Sequence, residues 1–482
     1  MGERLTPRDA GLLRDESETA PRTNATVQIF DPGGSGGEPG LAFDALLDLV
    51  AERLEFLPRY RKRVQVVPGR LAHPVWVDDP GFDLDYHVRR SAVPRPGGDD
   101  QLRDLVARIV SRPLDRSRPL WEAYLVEGLA GGRVALLTKT HQVLVDGVDT
   151  VDLGQLLLDN APDRRPLGEE AWAPRGTPSS LALVLDAVQD NLTNPGTLRH
   201  TVEGAGTGVL RGMRRSRRRV ARVARTVVGR TPSRPTPIGG RLSRQRRVTF
   251  VETELSAYQR VREAHGGSVN DVVLAVVAGG LRGWLMTRAE SLAGLRTIRA
   301  LVPVSVLDEE LEATSMGTQI APHLVDLPIG EPSAVVRLHQ VSYSFEKHRA
   351  SERAVPAQRL AGYAGFAPTT FHAMGARVAA AQPRSFQISV VNVPGPQSTL
   401  YAAGAPMTAS YPVHPLLPGH ALAVGVTSYD GKVFFGITAD RDLVPDDEVL
   451  GQCLREALDE LDDTTSGRRR LRRGRRSGKI AP

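Results

Sequence analysis

The stretch Thr138-Lys-Thr-His-Gln-Val-Leu-Val-Asp-Gly-Val148 holds the residues best suited to chemistry in this chain of 482. The apolar and β-branched run Val134 to Thr140 reads as a buried strand. It delivers a histidine, His141, followed five residues later by Asp146-Gly147. A histidine at a strand end can be held rigidly against a cavity, and its ordinary pKa lets it take a proton near neutral pH. Asp146 could fix the loop by pairing with a cation, an arginine elsewhere in the chain, and Gly147 lets the backbone turn where a Cβ would clash. Gln142 is a different kind of residue. Its amide offers one donor group and one acceptor but carries no proton at any accessible pH.

A chain of this length with 41% hydrophobic residues can bury a large core and predicts two domains. One cysteine, Cys453, excludes an internal disulfide framework and a cysteine-rich metal site. The N-terminal residues carry no apolar signal segment, and the most apolar window, Val272 to Met286, is interrupted by Gly279, Gly280 and Arg282, which suits a buried helix better than a lipid-facing one. The net charge of +7 is unevenly placed: nine arginines without an acid lie between Arg211 and Arg230, and eight basic residues follow Gly467. The remainder is therefore net acidic by about ten charges.

Around the histidine stretch, Thr23 to Phe30 alternates as a strand, and Phe43 to Leu57 has helical spacing with Phe43, Leu46, Leu47, Val50 and Leu54 on one face. His73 and His87 sit among carboxylates at a spacing that fits no standard metal site, so both are expected to be structural, with no metal bound. Gln101 to Ser111 and Val151 to Leu158 read as helices. From 161 to 242 the composition turns to Pro, Gly, Ser and Arg, as expected of a crossover between two halves. Asn270 or Asp271 is placed to cap the apolar helix that follows. Strands are expected at Arg247 to Leu255, Ala300 to Ser305 and Gln387 to Pro396, and a helix at Asp447 to Leu461.

Several motifs, in order, resemble the bacterial wax ester synthase/acyl-CoA:diacylglycerol acyltransferase family, itself similar to the wider chloramphenicol-acetyltransferase-like superfamily. His141 to Gly147 resembles its H-H-x-x-x-D-G motif, with Gln142 in place of the second histidine. Leu5-Thr-Pro-Arg-Asp-Ala-Gly-Leu-Leu13 resembles its N-terminal signature, and Pro119-Leu120-Trp121 its P-L-W triplet. Asn270 to Ala275 matches N-D-V-V-L-A, and Asn392 with Pro394-Gly395-Pro396 lies in a block similar to S-N-V-P-G-P, with Val391 where serine is usual. The resemblance implies an α/β protein of two chloramphenicol-acetyltransferase-like domains, residues 1–160 and 243–464, joined by a basic crossover at 161–242 and followed by an arginine-rich tail at 465–482. The site would lie in a tunnel at the domain interface.

What the resemblance implies chemically is transfer of a fatty acyl group from acyl-CoA to diacylglycerol or a long-chain alcohol. In the family the second motif histidine is the base for the alcohol, no covalent nucleophile is needed, and acyl-CoA is a co-substrate rather than a bound cofactor. The expected catalytic group is His141, Gln142, Asp146 and Gly147, and the expected substrate-binding group is Pro119, Leu120, Trp121, Asn270, Asp271 and Asn392. Three readings of Gln142 stand side by side. His141 becomes the base, which requires the strand to end or bulge at Thr140, because neighbours in a strand face opposite ways. Or Gln142 orients the alcohol in a slow enzyme, or the chain is a relative that binds acyl lipids or membrane surfaces without turnover. Trp121 is either a core anchor or a wall of an acyl channel.

The basic helix pattern of Arg211 to Arg230 and the tail suit the surface of an anionic membrane or a lipid body, placing the protein in the cytoplasm, peripheral to the inner face. The arginines lack the interleaved aromatics of a nucleic-acid site, so no nucleic-acid partner is expected.

Overall fold

The computed structural model describes residues 3–31, 41–145, 152–163, 238–289, 294–307, 318–349, 368–381 and 386–465. Asp146, Gly147, the Arg211 to Arg230 run, nearly all of the 161–242 crossover and the tail after 465 lie outside them.

Two six-stranded mixed sheets dominate. The first takes β2 (Thr23–Phe30), β5 (Val88–Gly97), β6 (Trp121–Leu129) and β7 (Val134–His141) from the first half. The second takes β8 (Arg246–Glu254), β9 (Ile298–Leu307), β10 (Thr318–Leu327), β11 (Ile388–Pro394), β14 (Leu422–Tyr429) and β15 (Lys432–Asp440). A small three-stranded sheet of β1 (Glu3–Arg4), β3 (Lys62–Gln65) and β4 (Val75–Asp78) packs beside the first. Chain continuity does not sort the strands completely. β12 (Tyr401–Ala402) and β13 (Ala405–Val413), counted with the second domain in the sequence, complete the first sheet in the order β12-β13-β2-β7-β6-β5.

This insertion explains why β2 is buried along its whole length rather than on alternate residues, as its sequence pattern suggests. It is an interior strand, antiparallel to β13 on one edge and to β7 on the other. Two glycines let β13 press onto the second sheet. A Cβ on Gly436 of β15 would lie 1.8 Å from the Pro412 carbonyl oxygen, and one on Gly425 of β14 would lie 2.6 Å from the His414 ring. The close crossing carries His414 into the interface.

Most helices follow their sequence signals, but the stretch expected as a helix from Val151 to Leu158 is described as the single turn Leu153–Leu156, and that expected over Phe43 to Leu57 is α-helical only to Arg53. Val269–Thr287 begins with a reciprocal cap, in which the Ser268 hydroxyl accepts the Asp271 N–H at 3.2 Å and the Asp271 carboxylate accepts the Ser268 N–H at 2.8 Å. It is the one helix among the described residues long and apolar enough to cross a membrane, and 72% of that apolar window is buried inside the protein. Gly279 and Gly280 face the C-terminal helix Asp447–Thr465, where Ala457 and Leu454 fill the space a Cβ would need. The apolar character of the helix is thus spent on this core.

Candidate functional site

β7 sorts its last residues onto two faces. In register with β2, Asn24 lies opposite Thr140 and Thr26 opposite Thr138, while Thr23 lies opposite His141. The strand continues through His141, so it neither ends nor bulges at Thr140, and His141 falls on the face of Lys139 rather than that of the threonines.

On the Lys139 face Lys139 and the His141 Nδ1 are engaged, while His141 Nε2 has no hydrogen-bond partner among the described residues. Lys139, 1% exposed, donates to the carbonyls of Ile109 and Arg112 at 3.1 and 2.5 Å, closing the end of the helix Asp99–Val110. Burial pulls its ammonium down to about 8, although Glu122 and Glu16 oppose the shift. His141 accepts the Val143 N–H at Nδ1, 3.1 Å away, so a neutral ring carries its proton on Nε2, which lies 3.6 Å from Glu16. Glu16 also accepts from the Arg22 N–H at 2.9 Å and from Arg116 at 3.1 Å. Burial works to raise the Glu16 carboxyl, but the His141 ring, the Arg22 amide and Arg116 together hold it down, at about 2. His141 is therefore a clamped ring whose one lone pair is already occupied.

Gln142, fully buried, follows in a turn. Its N–H donates to the Arg22 carbonyl at 2.9 Å, and its own carbonyl accepts from Arg377 at 3.0 Å. Arg377 lies on the helix Pro368–Ala381, binds the Val145 carbonyl at 3.0 Å as well, and pairs with Asp9 of the N-terminal helix Pro7–Asp15. Arg377 thus binds the stretch through its carbonyls from 235 residues further along the chain, while the expected pairing of Asp146 falls outside the described residues. Thr370 of the same helix accepts the Asp152 N–H at 2.8 Å, so one helix holds the stretch on both sides of the residues 146–151. Both amide atoms of the Gln142 side chain are buried without a hydrogen-bond partner among the described residues.

The threonine face of β7 meets a buried polar cavity lined by Asn24, Thr26, Thr138, Thr140, Asp152, Thr369, His372 and His414. Thr140 donates to Asp152 at 3.0 Å, and Gly154 donates to its other oxygen at 3.1 Å. Burial pushes the Asp152 carboxyl up against those hydrogen bonds. His372 Nδ1 and His414 Nε2 are 3.1 Å apart. Burial, and for His372 also the neighbouring ring, lowers both: His372 well below the ordinary histidine value and His414 to about 4. Their outer nitrogens, His372 Nε2 and His414 Nδ1, have no partner among the described residues, and neither has either amide atom of Asn24.

The expected substrate-binding residues divide. The Leu120 carbonyl accepts the His141 N–H at 3.0 Å, and Trp121 lies opposite Thr140, so the Pro119-Leu120-Trp121 triplet borders the histidine. Trp121 itself is a core anchor. It is fully buried, donates to the Tyr60 carbonyl at 2.8 Å and stacks on His87 with centroids 4.7 Å apart. His87 is structural as expected, its Nδ1 lying 2.8 Å from the Trp121 carbonyl. Asn270 and Asn392 meet each other, Nδ2 of Asn392 donating at 3.0 Å, while Asp271 serves the helix cap. Sequence reasoning did not single out Glu16, Arg377, Asp152, His372 or His414. Of these only Asp152 lies beside a recognisable motif, and nothing local marks the two histidines.

Residues 5–273 match the family model described as wax ester synthase/diacylglycerol acyltransferase catalytic domain, and residues 316–462 match the WS/DGAT C-terminal domain. A Mycobacterium tuberculosis protein named "Probable diacyglycerol O-acyltransferase tgs3" is 42% identical over 268 residues, 54% of this chain and 96% of that protein. Another from the same species, "Probable diacyglycerol O-acyltransferase tgs2", is 31% identical over 471 residues, covering 95% of this chain and 98% of its own. Among solved structures, the wax ester synthase/diacylglycerol acyltransferase of Marinobacter aquaeolei superposes with a TM-score of 0.66 at 26% identity, covering 96% of this chain and 99% of that one. The first condensation domain of the calcium-dependent antibiotic synthetase shares the fold, with a TM-score of 0.54 at 14% identity over 97% of both chains.

Proposed function

The chain belongs to the wax ester synthase/diacylglycerol acyltransferase family, and on that premise we propose that it transfers a fatty acyl group from acyl-CoA to diacylglycerol or a long-chain alcohol through a passage between its two sheets. Three cavities with shared walls carry this reading. The polar cavity on the threonine face of β7 shares His414 with a second cavity lined by Thr23, Val110 and Arg246, and the second shares Arg246 with a cleft of about 1040 Å³. Arg108 and Arg112 line that cleft beside Arg103 and Arg247, which pair with Glu448 and Asp447, and guanidinium forks suit the phosphates of coenzyme A. The inner two cavities each leave about 10 Å³, room for little more than one hydroxyl.

No cofactor is needed beyond acyl-CoA as co-substrate, because transfer from a thioester to an alcohol requires only a base, an oxyanion donor and exclusion of water. The basic run Arg211 to Arg230 and the tail support docking on an anionic membrane or lipid body at the cytoplasmic face. Sedimentation with phosphatidylglycerol vesicles, lost on deletion of residues 466–482 or on raising the salt, checks the docking. The decisive assay follows label from palmitoyl-CoA into product with dioleoylglycerol or hexadecanol as acceptor. Product with either acceptor is expected; the absence of both overturns the reading. Arg108→Ala and Arg112→Ala are expected to raise KM for palmitoyl-CoA more than they lower kcat.

A further inference from the structure

Acyl transfer to an alcohol needs a group that takes the hydroxyl proton, and neither residue at the motif position supplies one. Gln142 carries only an amide. His141 has its Nδ1 lone pair committed to the Val143 N–H and lies on the opposite face of β7 from the cavity. We propose that His372 is the general base for the acceptor alcohol and that His414 is its positioning partner.

The geometry is that of a base oriented by a second group. In the tautomer where His372 Nδ1–H donates to His414 Nε2 across their 3.1 Å contact, the lone pair of His372 sits on Nε2, and that nitrogen is buried, unpartnered among the described residues, in a ring that lines the cavity. Other buried side chains also lack partners, but His372 Nε2 and the Asn24 amide line one cavity together, so a hydroxyl seated there would meet both. The two rings arrive from different directions. His372 rides on the helix that clamps the motif stretch through Thr370 and Arg377, and His414 follows β13 where Gly425 leaves room for its ring. Burial, and for His372 the neighbouring ring, lowers both values, so both rings are neutral over the physiological range and the outer lone pair carries no proton before substrate binds.

In the reaction the alcohol O–H breaks as its proton passes to His372 Nε2, and the alcohol oxygen bonds to the thioester carbonyl carbon. The C–S bond then breaks, and His372 returns the proton to the departing thiolate of coenzyme A. Asn24 Nδ2 is the donor available to the carbonyl oxygen during this step. Asp152 shares the cavity with the pair and Arg246 shares the neighbouring one with His414, while burial and, for His372, the neighbouring ring are what lower the two rings.

The inference rests on the acyltransferase reading, and the experiment separates the two. Acyl transfer by the full chain is measured for wild type, His372→Ala, His372→Gln and His414→Gln, with circular dichroism as the check on folding. His372→Gln is expected to lower kcat by about 10²- to 10⁴-fold with little change in KM for acyl-CoA. Imidazole added to His372→Ala is expected to restore part of the rate, in proportion to its unprotonated fraction. His414→Gln keeps the base, lowers kcat less and shifts the acid limb of the pH profile. A folded His372 variant with wild-type kcat, or a folded His372→Ala that imidazole does not rescue, overturns the assignment. Should neither His372 variant fold, unchanged kcat and pH profile in His414→Gln overturn it. Wild type that is silent with both acceptors removes the acyl-transfer reading and the base together.

Discussion

β7 has two faces a peptide plane apart, and they have been built to opposite ends. On one, Lys139 donates to two carbonyls and His141 Nδ1 accepts a backbone amide, leaving only the His141 Nε2, 3.6 Å from Glu16, without a hydrogen bond among the described residues. On the other, Thr138 and Thr140 look into a cavity where Asn24 and a pair of histidines present atoms that nothing else in the described residues satisfies. A satisfied buried group rigidifies its surroundings, and an unsatisfied one stores a demand that a substrate can meet. The motif histidine falls on the first face and the histidines without a motif fall on the second. Position in a motif and position against an unsatisfied cavity are separate properties.

The comparison breaks most visibly if the clamp between the faces is removed. Arg377→Ala leaves Asp9 buried without its cation and takes the donor from the Gln142 and Val145 carbonyls. A loss of about 3–5 kcal/mol is expected, read by urea denaturation, with acyl transfer falling alongside; unchanged stability would show that the helix 368–381 is held by other contacts.

Acid titration sharpens the contrast, because the two faces lose stability in different windows. Glu16 has a depressed folded value, about 2 against 4.5, so its contribution is complete above about 4.5 and disappears as pH falls through about 2. A shift of that size corresponds to about 3 kcal/mol. Glu16→Gln should lower stability at neutral pH and flatten this limb. The histidine pair acts at higher pH. His414 is lowered from 6.5 to about 4, so the unfolded chain takes up protons first and stability declines as pH falls from about 6.5 toward 4. His414→Gln should remove part of that decline and leave the Glu16 window in place. Urea melts at intervals from pH 8 to pH 3 report both.

The smallest expected effect is Thr140→Val, which removes one hydrogen bond to Asp152. About 1 kcal/mol of stability is expected to go, while acyl transfer falls by more than that loss of folded protein explains. Proportional losses would make the threonine face structural after all.

Much of the architecture is legible without coordinates. β2, the helix at Val269–Thr287 and the C-terminal helix from Asp447 each follow from periodicity and capping residues, and the structure finds them within a few residues of the expected bounds. The burial of β2 on both faces was not legible, because its partner β13 lies about 380 residues away and no local pattern records it. Trp121 shows a milder form of the same limit. Its triplet announces importance, but only the contacts with Tyr60 and His87 show that the ring is an anchor.

By itself the sequence determined the family, the elements and the chemical oddity at Gln142, since these depend on residue types and on spacings of a few positions. Tertiary structure alone decided which side of β7 His141 faces, which arginine holds its loop, and that His372 and His414 stand 3.1 Å apart. Those facts depend on strand register and on contacts between residues 42 to 235 positions apart, and no interaction between near neighbours in the chain encodes them.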